Sequence, residues 1–285
     1  MQSKIVRKPK WLRKKMTQSS LREVEYLIAK GRLHTVCQEA LCPNIGECFS
    51  NKQATFLILG NQCTRQCTFC NISKNTPLPP DPDEPEHVAG TVMQMGLRHV
   101  VITSPTRDDL ADGGAEHFAK IVHAIKTVDD TIAVELLIPD MKENETALAT
   151  VAASGAKIIG HNVETVPRLY HIRKGATYER SLRVLKKLSA LNPSMATKSG
   201  IMLGFGEQED EVLKLMQDLL DMECRLLSIG QYLSPSRKHE EVVEFVKPER
   251  FDYFRDKGMA MGFRHIKSSP YTRSSYMAHE YLEAK

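Results

Sequence analysis

The sequence predicts a partial, open α/β barrel of six strand–helix units, a (β/α)6 arrangement, with an amino-terminal and a carboxyl-terminal extension. Three observations carry that expectation. Six short apolar runs alternate with amphipathic helical stretches from residue 54 onward, and near-continuous apolar strands belong to a parallel sheet covered by helices. Six units are too few for a standard eight-unit barrel. Polar residues close several of the runs, namely Thr103 and Ser104, Asn162 and Glu164, then Gln231, and folds of this kind do their chemistry at the carboxyl ends of the strands.

Each element has its own signal. A basic start holds Lys4, Arg7, Lys8, Lys10, Arg13, Lys14 and Lys15 without an acid among them, and it includes Trp11, the single tryptophan. It is a solvated arm or an electrostatic handle for an acidic partner, and Trp11 points to docking onto the body or onto a partner. Residues 18–33 form a helix capped by Ser19 or Ser20, with Leu21, Val24, Leu27 and Ile28 at helical spacing. Residues 37–51, with Pro43, Asn44 and Gly46, make a loop or broken helix around Cys37, Cys42 and Cys48. Strands are expected at 54–60, 99–104, 133–138, 157–164, 197–203 and 227–233. Helices are expected at 85–96, where Pro85 suits the first turn, and at 114–128, 143–154, 177–191, 207–223 and 248–261. Residues 71–84, rich in Pro, Asp and Asn, form an exposed loop. The chain thus divides into an extension over 1–52, a barrel over 53–262 and a second extension over 263–285.

Composition narrows the class. The 285 residues carry a net charge of +4, and no apolar run approaches the roughly 18 residues of a membrane span. No apolar stretch follows the basic start, so it does not read as a secretory signal. Seven cysteines, an odd number in a chain of this length, fit free thiols in a reducing cytoplasm better than a disulfide framework. Cys224 stands apart from the other six and is expected to be a buried structural thiol.

Those six form two triplets. Cys63-Thr64-Arg65-Gln66-Cys67-Thr68-Phe69-Cys70 packs three thiols into eight residues directly after the first strand. Structural zinc takes four protein ligands, whereas catalytic sites keep a position open; a zinc knuckle that borrows a fourth ligand elsewhere is the alternative. Thiolates are the usual ligands of iron–sulfur clusters, and three of them on a four-iron cube leave one iron for a small molecule. The second triplet, Cys37, Cys42 and Cys48, is equally incomplete. The sequence contains no Walker loop, dinucleotide fingerprint or Ser-His-Asp pattern.

The Cys63/Cys67/Cys70 spacing, with Phe69 before the last thiol, resembles the radical S-adenosylmethionine enzymes. Further motifs resemble the lipoyl synthase family within them: Cys37-x4-Cys42-x5-Cys48 with His34-Thr35-Val36 and Cys42-Pro43-Asn44; Arg107-Asp108-Asp109 with Asp112-Gly113-Gly114-Ala115; His161-Asn162-Val163-Glu164-Thr165; Thr197-Lys198-Ser199-Gly200-Ile201-Met202-Leu203-Gly204; Ile229-Gly230-Gln231-Tyr232-Leu233; and Arg273-Ser274-Ser275-Tyr276. Pro105-Thr106 and Ser269-Pro270-Tyr271-Thr272 depart from that pattern.

The resemblance implies two 4Fe-4S clusters and S-adenosylmethionine as cofactors. Cys63, Cys67 and Cys70 would hold the cluster that releases a 5′-deoxyadenosyl radical. Cys37, Cys42 and Cys48 would hold an auxiliary cluster with a serine hydroxyl as fourth ligand, Ser275 or else Ser274. Such an oxygen is a weaker partner for iron than thiolate, which suits a cluster that surrenders sulfide. Gly113 and Gly114 would meet the methionyl end of S-adenosylmethionine, Asn162 and Glu164 the ribose, and Gly200, Gly204 and Glu207 the adenine side. As plain structure, the same residues are a strand–helix turn, packing glycines and a helix-start acid. His161 reads as a buried hydrogen-bonded histidine, Arg173 and Lys198 as counter-charges in the pocket, and Arg107-Asp108-Asp109 as a solvated loop.

The implied reaction inserts sulfur at carbons 6 and 8 of an octanoyl chain on a lysine of a lipoyl carrier domain, such as those of 2-oxoacid dehydrogenases or the glycine cleavage H protein. Ferredoxin or flavodoxin would supply electrons, and an iron–sulfur carrier would rebuild the auxiliary cluster. Neither nucleic acid nor membrane is an expected partner. Two rivals differ in class. A biotin synthase-like or methylthio-transferring enzyme lacks the Cys37/Cys42/Cys48 spacing with Arg273–Tyr276. A zinc-stabilised nucleic-acid-binding protein should show higher charge and aromatics interleaved on a basic face.

Overall fold

The computed structural model describes residues 8–12 and 21–283. Ser19, Ser20 and most of the basic arm lie outside that range. Within the arm, a 3-10 turn over Lys10–Leu12 buries Leu12 and leaves Trp11 exposed, so the leucine rather than the tryptophan enters the body.

In the first extension, α1 (Leu21–Lys30), β1 (His34–Thr35), α2 (Val36–Glu39) and α3 (Ile45–Ser50) follow in order. The barrel then alternates β2 (Thr55–Leu57), α4 (Glu84–Met95), β3 (His99–Thr103), α5 (Ala115–Val128), β4 (Ala133–Leu137), α6 (Glu145–Ala152), β5 (Ile158–Gly160), α7 (Tyr178–Leu191), β6 (Ala196–Leu203), α8 (Glu209–Asp221), β7 (Leu226–Gln231), α9 (Pro248–Met261) and β8 (His265–Ser268), and α10 (Glu280–Glu283) closes the chain. The six expected strands and their helices are all present. The segment over residues 37–51 is a broken helix, α2 and α3 around a turn.

The sheet order is β1 to β8 in sequence, with β2 to β8 parallel and β1 antiparallel to β2. This linear order leaves the barrel open between β1 and β8. The structure thus adds one strand at each edge of the expected six. Both added strands are short and amphipathic, and β8 alternates half-buried and buried residues, so neither shows the apolar run that marks the others.

Burial explains the parallel sheet: every residue of β2 and β7 is buried. Two apolar clusters fill the spaces between strands and helices. One joins β2–β4 to α1 and α4–α6 and includes Cys37; the other joins β6–β8 to α7–α9 and includes Cys224. Cys224 is the expected buried thiol, with Sγ 3.6 Å from the Leu226 carbonyl; burial pushes its pKa up to about 12. Most of residues 74–83 are exposed, whereas Ile72 and Glu84 at the loop's ends are buried. Among the described residues no helix is long and apolar enough to cross a membrane.

Candidate active site

The Cys63–Cys70 loop leaves β2 through buried Ile58 and Leu59 and is tied to its neighbours by backbone. Cys63 N donates to the Ser73 carbonyl at 2.7 Å, Thr64 N to Thr106 at 3.0 Å and Thr68 N to Ile172 at 2.9 Å. The strongest tie is Arg65. Its guanidinium donates to both oxygens of Asp108, at 2.8 and 3.0 Å, and to both of Asp140, at 2.8 and 2.6 Å. Bidentate pairs of this kind fix orientation as well as distance. Burial works against charge on Asp140, but the Arg65 bonds outweigh it and hold the carboxyl at about 2. Arg107-Asp108-Asp109 is therefore no solvated loop. Asp108 clamps Arg65, and Arg107, 1 % exposed, donates to Asp109 and to the Leu59 and Leu78 carbonyls.

The three thiols are half-buried. Burial pushes Cys70 up to about 12, with Cys67 and Cys63 adding to it. Burial also raises Cys67, and Arg173 opposes that. Thiols that raise one another's pKa lie close together, and binding a metal releases their protons. Among the described residues no three His, Cys, Asp or Glu side chains converge tightly enough for a single ion. The donor set, three neighbouring sulfurs on one loop, fits a cluster whose irons each take one sulfur.

The other triplet lines a cavity of about 390 Å³ together with Arg273 and Ser275. Thr35 caps α2 by accepting from Gln38 N at 3.3 Å, which places Cys37. Leu41 takes a left-handed turn, φ 52°, that returns the chain so that Cys42 N reaches the Cys37 carbonyl at 3.0 Å. Helix α3 then presents Cys48. Burial, then Cys42, pushes Cys37 up to about 11. The carboxyl-terminal segment closes the cavity. Asn44 Nδ2 donates to the Tyr271 carbonyl at 2.7 Å, Tyr276 Oη reaches Glu47 at 3.1 Å, and Thr55 Oγ1 donates to Ser275 Oγ at 2.7 Å. Ser274 faces elsewhere: its Oγ accepts from Asn162 Nδ2 at 2.8 Å. Arg273 has no carboxylate within ion-pair distance among the described residues. Its Nη1 bonds the Thr272 carbonyl at 2.6 Å, and burial pulls its pKa down while Cys42 pushes it back up. A guanidinium facing three thiols suits an anionic occupant, so this donor set also fits a cluster.

Inside the barrel, Glu164 sits past β5 with φ 68° and donates its backbone N–H to the Gly200 carbonyl at 3.0 Å. Asn162 Nδ2 lies 3.2 Å from Glu164 Oε1. Burial raises the Glu164 pKa and Arg173 lowers it, so Arg173 faces both Glu164 and Cys67. His161 is fully buried, with Nδ1 2.9 Å from the Ile138 carbonyl and Nε2 3.1 Å from Ser181 Oγ; burial pushes it down to about 3, so it is neutral. Lys198 differs from the expectation of a pocket counter-charge: its ammonium is committed to Glu135, the Ser274 carbonyl and the Tyr281 ring.

Gly113 and Gly114 are both left-handed, at the turn into α5. A Cβ on Gly113 would meet Met141 and one on Gly114 would meet Leu59, so protein fills the side-chain positions of this turn. Gly204 N and Phe205 N donate to Glu207, and a Cβ on Gly204 would run into Gln231 and Glu244. Sequence reasoning missed Arg65, Asp140, Thr55 and Glu135. Glu135 had a signal, a carboxylate inside an apolar strand.

Comparison with known proteins follows from this geometry. The Radical SAM superfamily model matches residues 57–219. The chain is 58 % identical over 277 residues to lipoyl synthase of Geobacter metallireducens, covering 97 % of this chain and 98 % of that protein. It is 51 % identical over 274 residues to lipoyl synthase of Caldanaerobacter subterraneus subsp. tengcongensis, covering 96 % of each. Among solved structures, methylornithine synthase aligns with TM-score 0.56 at 15 % identity, covering 84 % of this chain and 69 % of that one. Streptococcus suis SuiB bound to precursor peptide SuiA aligns at 0.59 with 10 % identity, covering 84 % and 54 %. These two likenesses show the fold alone.

Proposed function

This chain belongs to the lipoyl synthase family of radical S-adenosylmethionine enzymes, and from that premise we propose which of its residues carry the reaction. The enzyme is a radical sulfurtransferase that inserts two sulfur atoms, at carbons 6 and 8, into a protein-bound octanoyl-lysine. Two 4Fe-4S clusters and S-adenosylmethionine are its cofactors, and its substrate is an octanoylated carrier. When bound, one cluster with S-adenosylmethionine supplies the 5′-deoxyadenosyl radical and the other supplies sulfide.

Cys63, Cys67 and Cys70 hold the first of these, oriented by the clamp of Arg65 on Asp108 and Asp140. Asn162 and Glu164 take the ribose, with Arg173 opposing the rise that burial causes in the Glu164 pKa. Gly113 and Gly114 offer backbone to the methionyl end, and Gly204 lies beside adenine. Cys37, Cys42, Cys48 and Ser275 hold the sulfur-donating cluster, and Arg273 offsets its negative charge. The observation that carries this reading is the cavity lined jointly by those three thiols and Ser275. On this reading segment 1–52 brings three ligands, segment 263–285 the fourth, and segment 53–262 the radical machinery. Octanoylated lipoyl domains of 2-oxoacid dehydrogenases or the glycine cleavage H protein are the carriers. Ferredoxin or flavodoxin is the reductant, an iron–sulfur carrier restores the spent cluster, and the site of action is the cytoplasm.

The test is an anaerobic reaction of reconstituted protein, reductant and S-adenosylmethionine with an octanoyl-lysine peptide, read by mass spectrometry. The expected result is a gain of two sulfurs with 5′-deoxyadenosine alongside. Ser275→Ala should retain 5′-deoxyadenosine and lose most sulfur insertion, whereas Ser274→Ala should insert sulfur. If the serines behave the other way round, the proposed ligand is wrong.

A further inference from the structure

Lys198 lies on β6 and is 2 % exposed. A buried ammonium is tolerated where its three N–H bonds are met. One goes to Glu135 Oε1 at 2.7 Å and a second to the Ser274 carbonyl at 2.6 Å. The ring of Tyr281, its centroid 3.8 Å from Nζ, faces the ammonium as a third partner. Tyr281 is fully buried and donates its hydroxyl to the Leu227 carbonyl at 3.1 Å. Two of the three partners thus belong to the carboxyl-terminal segment. The Ser274 carbonyl is part of the planar peptide joining Ser274 to Ser275, so holding that oxygen fixes the direction in which Ser275 departs.

The strands leave room for this segment. A Cβ on Gly200 would come within 2.8 Å of Ser274 Oγ, and one on Gly230 within 2.0 Å of the Thr272 carbonyl. With the peptide so placed, Ser274 Oγ meets Asn162 while Ser275 Oγ meets Thr55 at the cavity. Glu135 also neighbours His99, with Nε2 3.7 Å from Oε2, and lies within electrostatic reach of the Tyr281 phenol.

We infer that Lys198 is a positioning residue: through the Ser274 carbonyl, its ammonium sets Ser275 against Cys37, Cys42 and Cys48 before any cluster is present. Its consequence for the enzyme rests on the reading of Ser275 as a ligand; the positioning itself does not. One buried cation thereby gives two adjacent serines separate tasks.

Hydrogen exchange read by mass spectrometry on cluster-free protein tests this. Residues 271–276 should be strongly protected in the wild type. In Lys198→Met/Glu135→Gln, which leaves no unpaired charge, they should exchange about tenfold faster or more, with the barrel helices unchanged. Glu135→Gln alone breaks the buried pair and lowers global stability, but it keeps Lys198 Nζ as a donor to the Ser274 carbonyl, so relative to the barrel helices the segment should lose much less protection than in the double variant. After reconstitution the double variant should hold about half the wild-type iron, lose the electron paramagnetic resonance signal of one cluster only, and still cleave S-adenosylmethionine reductively. A wild-type segment exchanging like an unstructured peptide overturns the proposal without any variant having to fold. So does a double variant with wild-type protection, or equal loosening in both variants. A loosened segment with full iron and both cluster signals unchanged would uphold the positioning and sink the reading of Ser275 as a ligand.

Discussion

The two cysteine sites are built in opposite ways. Cys63, Cys67 and Cys70 lie in one loop of eight residues, and the clamp that fixes it, Arg65, lies inside the same loop. Cys37, Cys42 and Cys48 share their cavity with Ser275, and the bond that seats Ser275, to Thr55, spans 220 positions of chain. The first site needs one loop and two receiving aspartates. The second needs the whole barrel folded, because the carboxyl-terminal segment reaches the cavity only by threading past Gly200 and Gly230. A local site tolerates damage elsewhere; an assembled site inherits every fault in its assembly.

Substitutions in the two sites should therefore separate cleanly. The largest effect is expected from Cys63→Ala, which should abolish both 5′-deoxyadenosine formation and sulfur insertion. Cys37→Ala should abolish sulfur insertion alone; chromatographic assay of both products decides, and loss of both in Cys37→Ala would break the distinction. Next, Gly230→Ala tests the threading. Its Cβ would lie 2.0 Å from a backbone oxygen, so the segment must move, and iron should fall by about half while S-adenosylmethionine cleavage persists. Full iron in that variant would mean the second site needs no threaded segment.

Arg65→Met leaves Asp140, fully buried, with the Arg180 guanidinium at 3.3 Å and the Lys142 N–H at 3.0 Å. Breaking a buried pair in this way costs about 3–5 kcal/mol, measurable by denaturant titration. The same clamp sets an acid limit. Asp140 falls from its ordinary 3.8 to about 2 in the fold, so the stability it confers is complete above about pH 4 and is lost as the pH falls towards 2. In Arg65→Met that acid-dependent loss should flatten; an unchanged pH profile would show that the clamp does not hold the loop. The smallest effect belongs to Cys224→Ala. It should cost about 1 kcal/mol and leave iron content and both products at wild-type levels, because this thiol faces apolar core.

Much of the site was legible because its information is local. The spacing of Cys63, Cys67 and Cys70 survives any fold that keeps the loop intact, and the alternation of apolar runs with helices gave the parallel barrel directly. His161 and Cys224 were expected as buried groups and are buried. The edge strands β1 and β8 escaped because two- and four-residue amphipathic pieces have no period to detect. Lys198 was misplaced because a lysine between Thr197 and Ser199 looks the same whether its ammonium reaches a ligand or a hidden carboxylate. Asp108 looked solvated because only the turn after β4, carrying Asp140, reveals what it shares with Arg65.

The sequence by itself determined the fold class, the two incomplete thiol sets and the chemistry that thiols at such spacings support, since each depends on periodicity or on a few neighbouring residues. The tertiary structure decided which serine meets which site. Ser274 and Ser275 are identical in chemistry and adjacent in sequence, and both sit in a turn closed by the Tyr276 N–H on the Arg273 carbonyl at 3.0 Å. Only a third party can set how that turn is oriented, and here a carbonyl held by Lys198 sends one hydroxyl to Asn162 and the other to the thiol-lined cavity.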